Sequence, residues 1–133
     1  MPAKLKHLEF IQAVVTRMNT NSFLIKGWTV TITAALFALA ARDADRRVAY
    51  VAWFVIPVFW VLDGFYLDME RRYRRLYDRV RVLPPDAIDF DMRAPALPGW
   101  RANWVAAIFS RTLLIFYGAL LIATLAITLI LSR

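Results

Sequence analysis

The sequence predicts an all-α membrane protein with three transmembrane helices. The chain has 133 residues, and 60% of them are hydrophobic, whereas about half of an ordinary soluble domain is apolar. The apolar residues are concentrated in three long runs, and the charged residues lie between those runs. Because about 20 apolar helical residues cross the hydrocarbon core, each run is long enough to span a bilayer. We therefore expect a single membrane domain over residues 1–133.

An amphipathic helix is predicted over residues 1–22, ahead of the first apolar run. Apolar residues from Leu5 to Met18 recur mostly at three- and four-residue steps. The polar residues 19–22 then offer an N-cap for a new helix, so we expect the chain to break there. This first helix either lies on the membrane surface and feeds into the first span, or packs against its own subunit.

The first two spans are predicted at residues 23–41 and 48–67. Pro57 lies in the middle of the second run and predicts a kink, which membrane helices tolerate. We expect the second span to leave the membrane as a helix over residues 68–83, which ends before two prolines.

A Pro-rich linker and interfacial anchor is predicted over residues 84–104, before a third span at residues 105–131. Trp100 and Trp104 in the anchor are the amphipathic residues that collect at membrane–water interfaces. Three spans place the N-terminus and residues 68–104 on one side. That side has 13 Lys and Arg residues, counting Lys26 and Arg111 at the ends of the spans, against 4 on the other side. The positive-inside rule therefore predicts a multi-pass membrane protein with a cytoplasmic N-terminus and an extracytoplasmic C-terminus.

No catalytic site is recognisable in the sequence. The chain has no cysteine and one histidine, which excludes thiolate nucleophiles and any site that needs two histidines. It also lacks a glycine-rich phosphate loop and a G-x-S-x-G elbow. We expect neither an enzyme nor a bound cofactor or metal.

Three ionisable residues are predicted at a similar depth near the inner ends of the spans: Lys26, Asp63 and Arg111. Such residues inside a membrane are costly and usually functional. They either lock three helices together or set a gate or relay, and the lock is the simpler interpretation. Lys26 and Arg111 are also long enough to reach the headgroups.

A weakly polar stripe follows one face of the third span. Tyr117, Thr124 and Thr128 recur there at helical spacing. Such a stripe lines a narrow pore or forms hydrogen-bonded contacts between helices. Because one three-helix chain is too small to enclose a pore, the pore interpretation requires a homo-oligomer.

The helix over residues 68–83 carries two further patterns. An a/d seam, typical of coiled-coil packing, predicts association between copies through Met69, Tyr73, Leu76, Val80 and Leu83. Six arginines are candidates for binding a partner or membrane lipid: Arg71, Arg72, Arg74, Arg75, Arg79 and Arg81. Direct binding of nucleic acid stays open, but residues 63–101 hold 8 basic and 7 acidic side chains, so the segment is no strong trap for polyanions.

The first two thirds of the chain resemble a family of small bacterial membrane proteins. The matching stretches are HLEFIQ at residues 7–12, NSFLIKGW at 21–28, ALFAL at 35–39 and FWVLDG at 59–64, within residues 5–82. They resemble the membrane effectors of two-gene antiphage systems of the Hailong type. The resemblance implies an oligomeric channel that depolarises the infected cell and is held shut by a partner nucleotidyltransferase with bound single-stranded DNA oligomers.

Two functions follow as expectations. The first is a homo-oligomeric channel or pore-forming effector that depolarises the inner membrane under the control of a cytoplasmic partner. The alternative is a non-conducting membrane anchor whose arginine-rich helix recruits a cytoplasmic partner, lipid or nucleic acid.

Overall fold

The computed structural model describes residues 2–43, 45–99 and 103–133. These residues form helices and connecting segments, with no β-strand among them. Three of the helices are long and apolar enough to cross a membrane. The predicted all-α class with three such helices is therefore confirmed, and the arrangement fits a multi-pass membrane protein.

The described residues contain four α-helices. They are α1 (Pro2–Asp43), α2 (Arg46–Arg81), α3 (Trp104–Ile108) and α4 (Arg111–Leu131), with a 3-10 turn at Pro85–Ala87. Helices α1 and α2 form an antiparallel hairpin, and α4 packs against α2. Asp45 caps α2, because its side chain accepts a hydrogen bond from the backbone N–H of Arg47 at 2.9 Å. Helix α2 continues through Pro57.

Helix α1 runs without a break through residues 19–22, so the N-cap predicted there is wrong. One buried stripe runs along its whole length: His7, Ile11, Val15, Ser22, Ile25, Thr29, Thr33 and Ala40. These steps of three, four and seven residues keep the same face of the helix towards its neighbours. Asn19 and Thr20 are exposed between them. The polar run therefore lies largely on the outer face of a continuous helix.

The hairpin is much longer than a membrane is thick. Helix α1 has 42 residues and α2 has 36, which correspond to about 63 Å and about 54 Å at 1.5 Å per residue, against about 30 Å of hydrocarbon. The parts of α1 and α2 that exceed this thickness lie at the end of the hairpin where α2 carries its arginines. We call it the arginine-rich end. There Ile11 and Val15 of α1 pack against Leu76 and Val80 of α2. The N-terminal helix thus packs on its own chain, as the second of the two expectations had it.

The a/d seam of α2 packs largely inside the chain, whereas it was expected to join copies. Leu76 and Val80 are 3% and 2% exposed. Tyr73 and Leu83 pack at the edge of the same cluster, and Met69 is half-buried outside it. The stripe of α1 is the partner that the seam pattern required, so these residues offer little free surface to another copy.

The predicted third span is interrupted near its start. Helix α3 ends at Ile108, and Ser110 caps the new helix α4 by accepting a hydrogen bond from the backbone N–H of Leu113. The indole N–H of Trp60 donates to the Ile108 carbonyl at 2.8 Å, and that of Trp104 donates to the Val61 carbonyl at 3.1 Å. These bonds dock α3 onto α2. The span therefore begins at Arg111 and not at residue 105.

Residues 82–99, which follow α2, form a strap across the arginine-rich end. The ammonium of Lys4 donates to the Leu83 carbonyl at 2.8 Å, and Nε2 of His7 lies 3.1 Å from the Asp91 carbonyl oxygen. Phe90, at a positive φ of 55°, places its ring 5.4 Å from that of the buried His7. Farther along, the side chain of Asn103 bonds both backbone groups of Leu97. Trp100, half of the predicted anchor, lies outside the described residues.

Replacing Gly64 by alanine should destabilise the contact between α2 and α3. A Cβ atom at Gly64 would lie 2.5 Å from Cγ1 and 3.3 Å from Cα of Ile108, and overpacking of this kind costs about 1–3 kcal/mol. We expect a lower melting temperature of the detergent-solubilised protein for Gly64→Ala. Gly118→Ala is the control, since a Cβ there meets no atom within 4 Å. Equal melting temperatures of the two variants would contradict this packing.

Candidate functional site

The candidate site is centred on Asp63, whose side chain is fully buried where three helices meet. Helix α1 contributes Ser22 and Lys26 from successive turns, α2 contributes Asp63, and α4 contributes Tyr117. The spacing of four residues puts Ser22 and Lys26 on the same face of α1. All four residues lie within the three helices that can cross a membrane. We call this group the Asp63 cluster.

Each oxygen of the Asp63 carboxylate has partners. The Ser22 hydroxyl donates to Oδ1. The Lys26 ammonium lies 2.6 Å from Oδ2, and the Tyr117 hydroxyl donates to the same oxygen at 2.8 Å. Lys26 also donates to the Ser22 hydroxyl at 2.8 Å. Bonds to an ionised group are shorter and roughly twice as strong as neutral ones, so these contacts tie α1 and α4 to one point on α2.

The cluster balances its own charge. One ammonium faces one carboxylate, and the Lys26 side chain keeps only 19% of its surface exposed. The ammonium also lies 5.9 Å from the centre of the Phe116 ring, where the face of the ring attracts a cation weakly. An unpaired carboxylate in this environment would be very costly, because the Asp63 side chain is fully buried.

Aromatic packing holds the Tyr117 hydroxyl in place. The Trp60 ring stacks on the Tyr117 ring with centroids 5.7 Å apart and an interplanar angle of 4°. The same indole is fixed by its bond to the Ile108 carbonyl. The docking of α3 therefore helps to position a member of the Asp63 cluster.

Arg111, predicted to join Lys26 and Asp63, lies outside the cluster. Arg111 is exposed, and it forms no ion pair with the described residues. Arg111 is the first residue of α4, and the helix reaches Asp63 with Tyr117, almost two turns farther along. The predicted three-residue layer is thus a Lys–Asp pair completed by two hydroxyls.

The polar stripe of the third span faces its own chain. Tyr117 and Thr124 are fully buried. The Thr124 hydroxyl donates to the Leu120 carbonyl at 2.7 Å, and the Thr128 hydroxyl donates to the Thr124 carbonyl at the same distance. Since these hydroxyls are satisfied by their own helix and turned inwards, they line no pore in this conformation. The interpretation as hydrogen-bonded contacts between helices fits Tyr117, which donates to Asp63, and Thr128, which accepts from the Trp53 indole at 3.4 Å.

Ser22 is the member of the cluster that the sequence analysis missed, because it was assigned to an N-cap. Its spacing of four residues from Lys26 was the available signal. Trp60 was missed as the residue that positions Tyr117. Nothing in the one-dimensional pattern distinguishes it from the other tryptophans of the spans.

The arginines of α2 divide into two groups. Three of them pair with acids on their own helix: Arg72 with Asp68, Arg74 with Glu70 and Arg81 with Asp78. The other three form no ion pair within the described part of the chain: Arg71, Arg75 and Arg79. The second group carries the uncompensated positive charge of the arginine-rich end.

Within residues 2–43, 45–99 and 103–133, no group of three or more His, Asp or Glu side chains is placed to hold a metal ion. Comparison with protein-family models, with curated proteins and with solved structures gives no match for this chain. The resemblance to Hailong-type effectors therefore stays a prediction from the sequence.

Substitutions in the Asp63 cluster should be strongly coupled. Lys26→Met leaves a buried carboxylate without its base, and Asp63→Asn leaves the ammonium without its acid. Each should lower the free energy of unfolding by about 3 kcal/mol or more. The double variant removes both charges and should be more stable than either single variant. Melting temperatures of the four detergent-solubilised proteins test this double-mutant cycle.

Arg111→Gln is the control for that cycle. It also removes one charge from a span, but at an exposed position, where effects are usually within about 0.5 kcal/mol. If the effects of Lys26→Met and Asp63→Asn simply add, the two side chains do not form the pair described.

Proposed function

We propose that this chain is the subunit of a homo-oligomeric membrane channel or pore-forming effector that depolarises the membrane, and that the Asp63 cluster holds it closed. The carrying observation is the buried Lys26–Asp63 pair, which joins α1 to α2 inside the membrane and reaches α4 through Tyr117. Residues of this type within a span mark functional positions more often than structural ones in membrane proteins.

Assembly from several copies is part of the proposal. The side chains of α1, α2 and α4 pack against one another, and the apolar cluster of Ile56, Leu113 and Tyr117 fills the space between α2 and α4. One chain thus has no room for a conducting path. A path between copies requires helices that move relative to one another, and the charge-assisted bonds of Asp63 resist that movement.

The proposed setting is the bacterial inner membrane, with the arginine-rich end in the cytoplasm. The distribution of 13 and 4 basic residues supports this orientation through the positive-inside rule. The resemblance to Hailong-type effectors supports a role in antiphage defence and a regulatory nucleotidyltransferase with bound DNA oligomer as the partner. The arginine-rich end offers such a partner the exposed side chains of Arg74, Arg79 and Arg81.

Weakening the Asp63 cluster should increase membrane depolarisation. Tyr117→Phe is the most informative change, because it removes one charge-assisted hydrogen bond, about 1.5–3 kcal/mol, and keeps the ring that stacks on Trp60. We expect cells that express Tyr117→Phe, or Asp63→Asn, to lose membrane potential at a lower protein abundance than wild type. A potential-sensitive dye and immunoblotting of membranes measure both quantities.

The exposed Arg111→Gln is again the control and should behave as wild type. Two results would contradict the proposed channel function. One is that wild type and both cluster variants accumulate in membranes and leave the potential equal to that of an empty vector. The other is that all three variants depolarise equally.

A non-conducting anchor is the second candidate, and a specific observation favours it. The stripe expected to line a pore is buried and satisfied within the chain, whereas Arg71 and Arg75 have no carboxylate partner in the described region. In that case a growth effect of the expressed protein should vanish with Arg71→Glu and Arg75→Glu combined, and Tyr117→Phe should leave it unchanged.

A further inference from the structure

A cavity of about 210 Å³ lies between α2 and the strap at the arginine-rich end. On the helix side it is lined by Arg72, Arg75 and Arg79, which recur at steps of three and four residues. Residues 95–97 of the strap close the opposite side. Three arginines thus face one small space.

The positive charge of this cavity is only partly compensated. Arg72 is paired with Asp68 at 2.9 Å. Near Arg79, hydrogen bonds from Arg93 are the main reason that the pKa of Asp91 falls to about 2, and the charge of Arg79 adds a smaller effect. Asp91 is therefore ionised but already engaged by Arg93. Arg75 has no acid partner among the described residues.

Two guanidinium nitrogens at this cavity are buried and have no acceptor among residues 2–43, 45–99 and 103–133. They are Nε of Arg72 and Nη2 of Arg75. Leaving a buried charged donor without a partner is among the more expensive defects in a protein. Such a group calls for an explanation in the form of an ion, a water or a ligand. Guanidinium groups match tetrahedral oxyanions well, because their N–H groups form a planar fork.

A second cavity of about 420 Å³ adjoins the first. Both are lined by Arg72, Ala96 and Leu97, and the second adds Gly99, Asn103, Trp104 and Val105. An exposed tryptophan next to an apolar pocket is typical of the headgroup region of a bilayer. A ligand with a phosphate group and an attached apolar part fits this pair of cavities in charge and polarity.

We propose that Arg72, Arg75, Arg79 and strap residues 95–97 form a phosphate-binding site, and that its natural ligand is the headgroup of an anionic phospholipid. Arg75 contributes most to the binding, because it has no acid partner among the described residues and, unlike the exposed Arg79, it has a buried guanidinium nitrogen. The adjoining apolar cavity takes the glycerol and the first carbons of the acyl chains. The site does not depend on the proposed channel function, because a closed chain already contains all its parts.

The test measures ligand binding to the full-length protein in an uncharged detergent. Native mass spectrometry is used to titrate wild type, Arg75→Gln, Arg79→Gln and Arg81→Gln with phosphatidylglycerol. Arg81 is the matched control, since it has the same charge and lies on the same helix but does not line the cavity. We expect Arg75→Gln to weaken binding about tenfold or more, the loss of one charge-assisted contact. Arg79→Gln should weaken it less, and Arg81→Gln should be within about twofold of wild type.

Glycerol phosphate, titrated in parallel, distinguishes the two sources of a phosphate group. Binding of phosphatidylglycerol but not of glycerol phosphate, with dependence on Arg75, supports the lipid. Binding of both with the same dependence supports a site for soluble phosphates. The proposal is overturned if Arg75→Gln and Arg81→Gln weaken binding equally, or if neither probe binds wild type. If Arg75→Gln does not fold, Arg79→Gln, at an exposed position, replaces it in the comparison with Arg81→Gln.

Discussion

The buried carboxyl group of Asp63 is the constraint around which the rest of the molecule is arranged. Apolar side chains do not drive helices together inside a bilayer, because lipid tails are as apolar as they are. A buried charge behaves differently, since it must find a partner at a defined position. The bonds to Ser22 and Lys26 set the register of α1 against α2, and the bond to Tyr117 sets that of α4.

Beyond the membrane, ordinary hydrophobic packing continues what the Asp63 cluster begins. The buried stripe of α1 runs from Ala40 through Ser22 to His7 and meets the a/d seam of α2 at Leu76 and Val80. Water is excluded from this contact, so the apolar residues there do stabilise the hairpin. The strap then adds bonds to Lys4 and His7. One rigid pair of helices therefore extends from the far side of the membrane to the arginine-rich end.

Length and composition were enough to predict the membrane helices, whereas the side-chain contacts between those helices were the least predictable from the sequence. Three apolar runs of spanning length predict three membrane helices. The shared depth of Lys26, Asp63 and Arg111 predicts a layer of three, of which the structure pairs only Lys26 and Asp63. Polar residues 19–22 were misassigned because local cap chemistry was weighed without the stripe that passes through them. The break before Arg111 depends on Gly64 admitting Ile108 and on two indole bonds to backbone carbonyls, and no periodicity records such contacts.

The buried ion pair is poorly explained by stability alone. Well-packed apolar residues of similar volume usually stabilise a protein as much as a buried salt bridge or more. The pair does differ from apolar packing in specificity: it permits one register of α1, α2 and α4 and penalises every other. The three helices are thus held in one arrangement by few contacts, since Lys26 and Tyr117 converge on a single oxygen. A change that removes the charge of Asp63, or provides it with another partner, would release both neighbouring helices together, and this is the behaviour that a gate requires and a permanent scaffold does not.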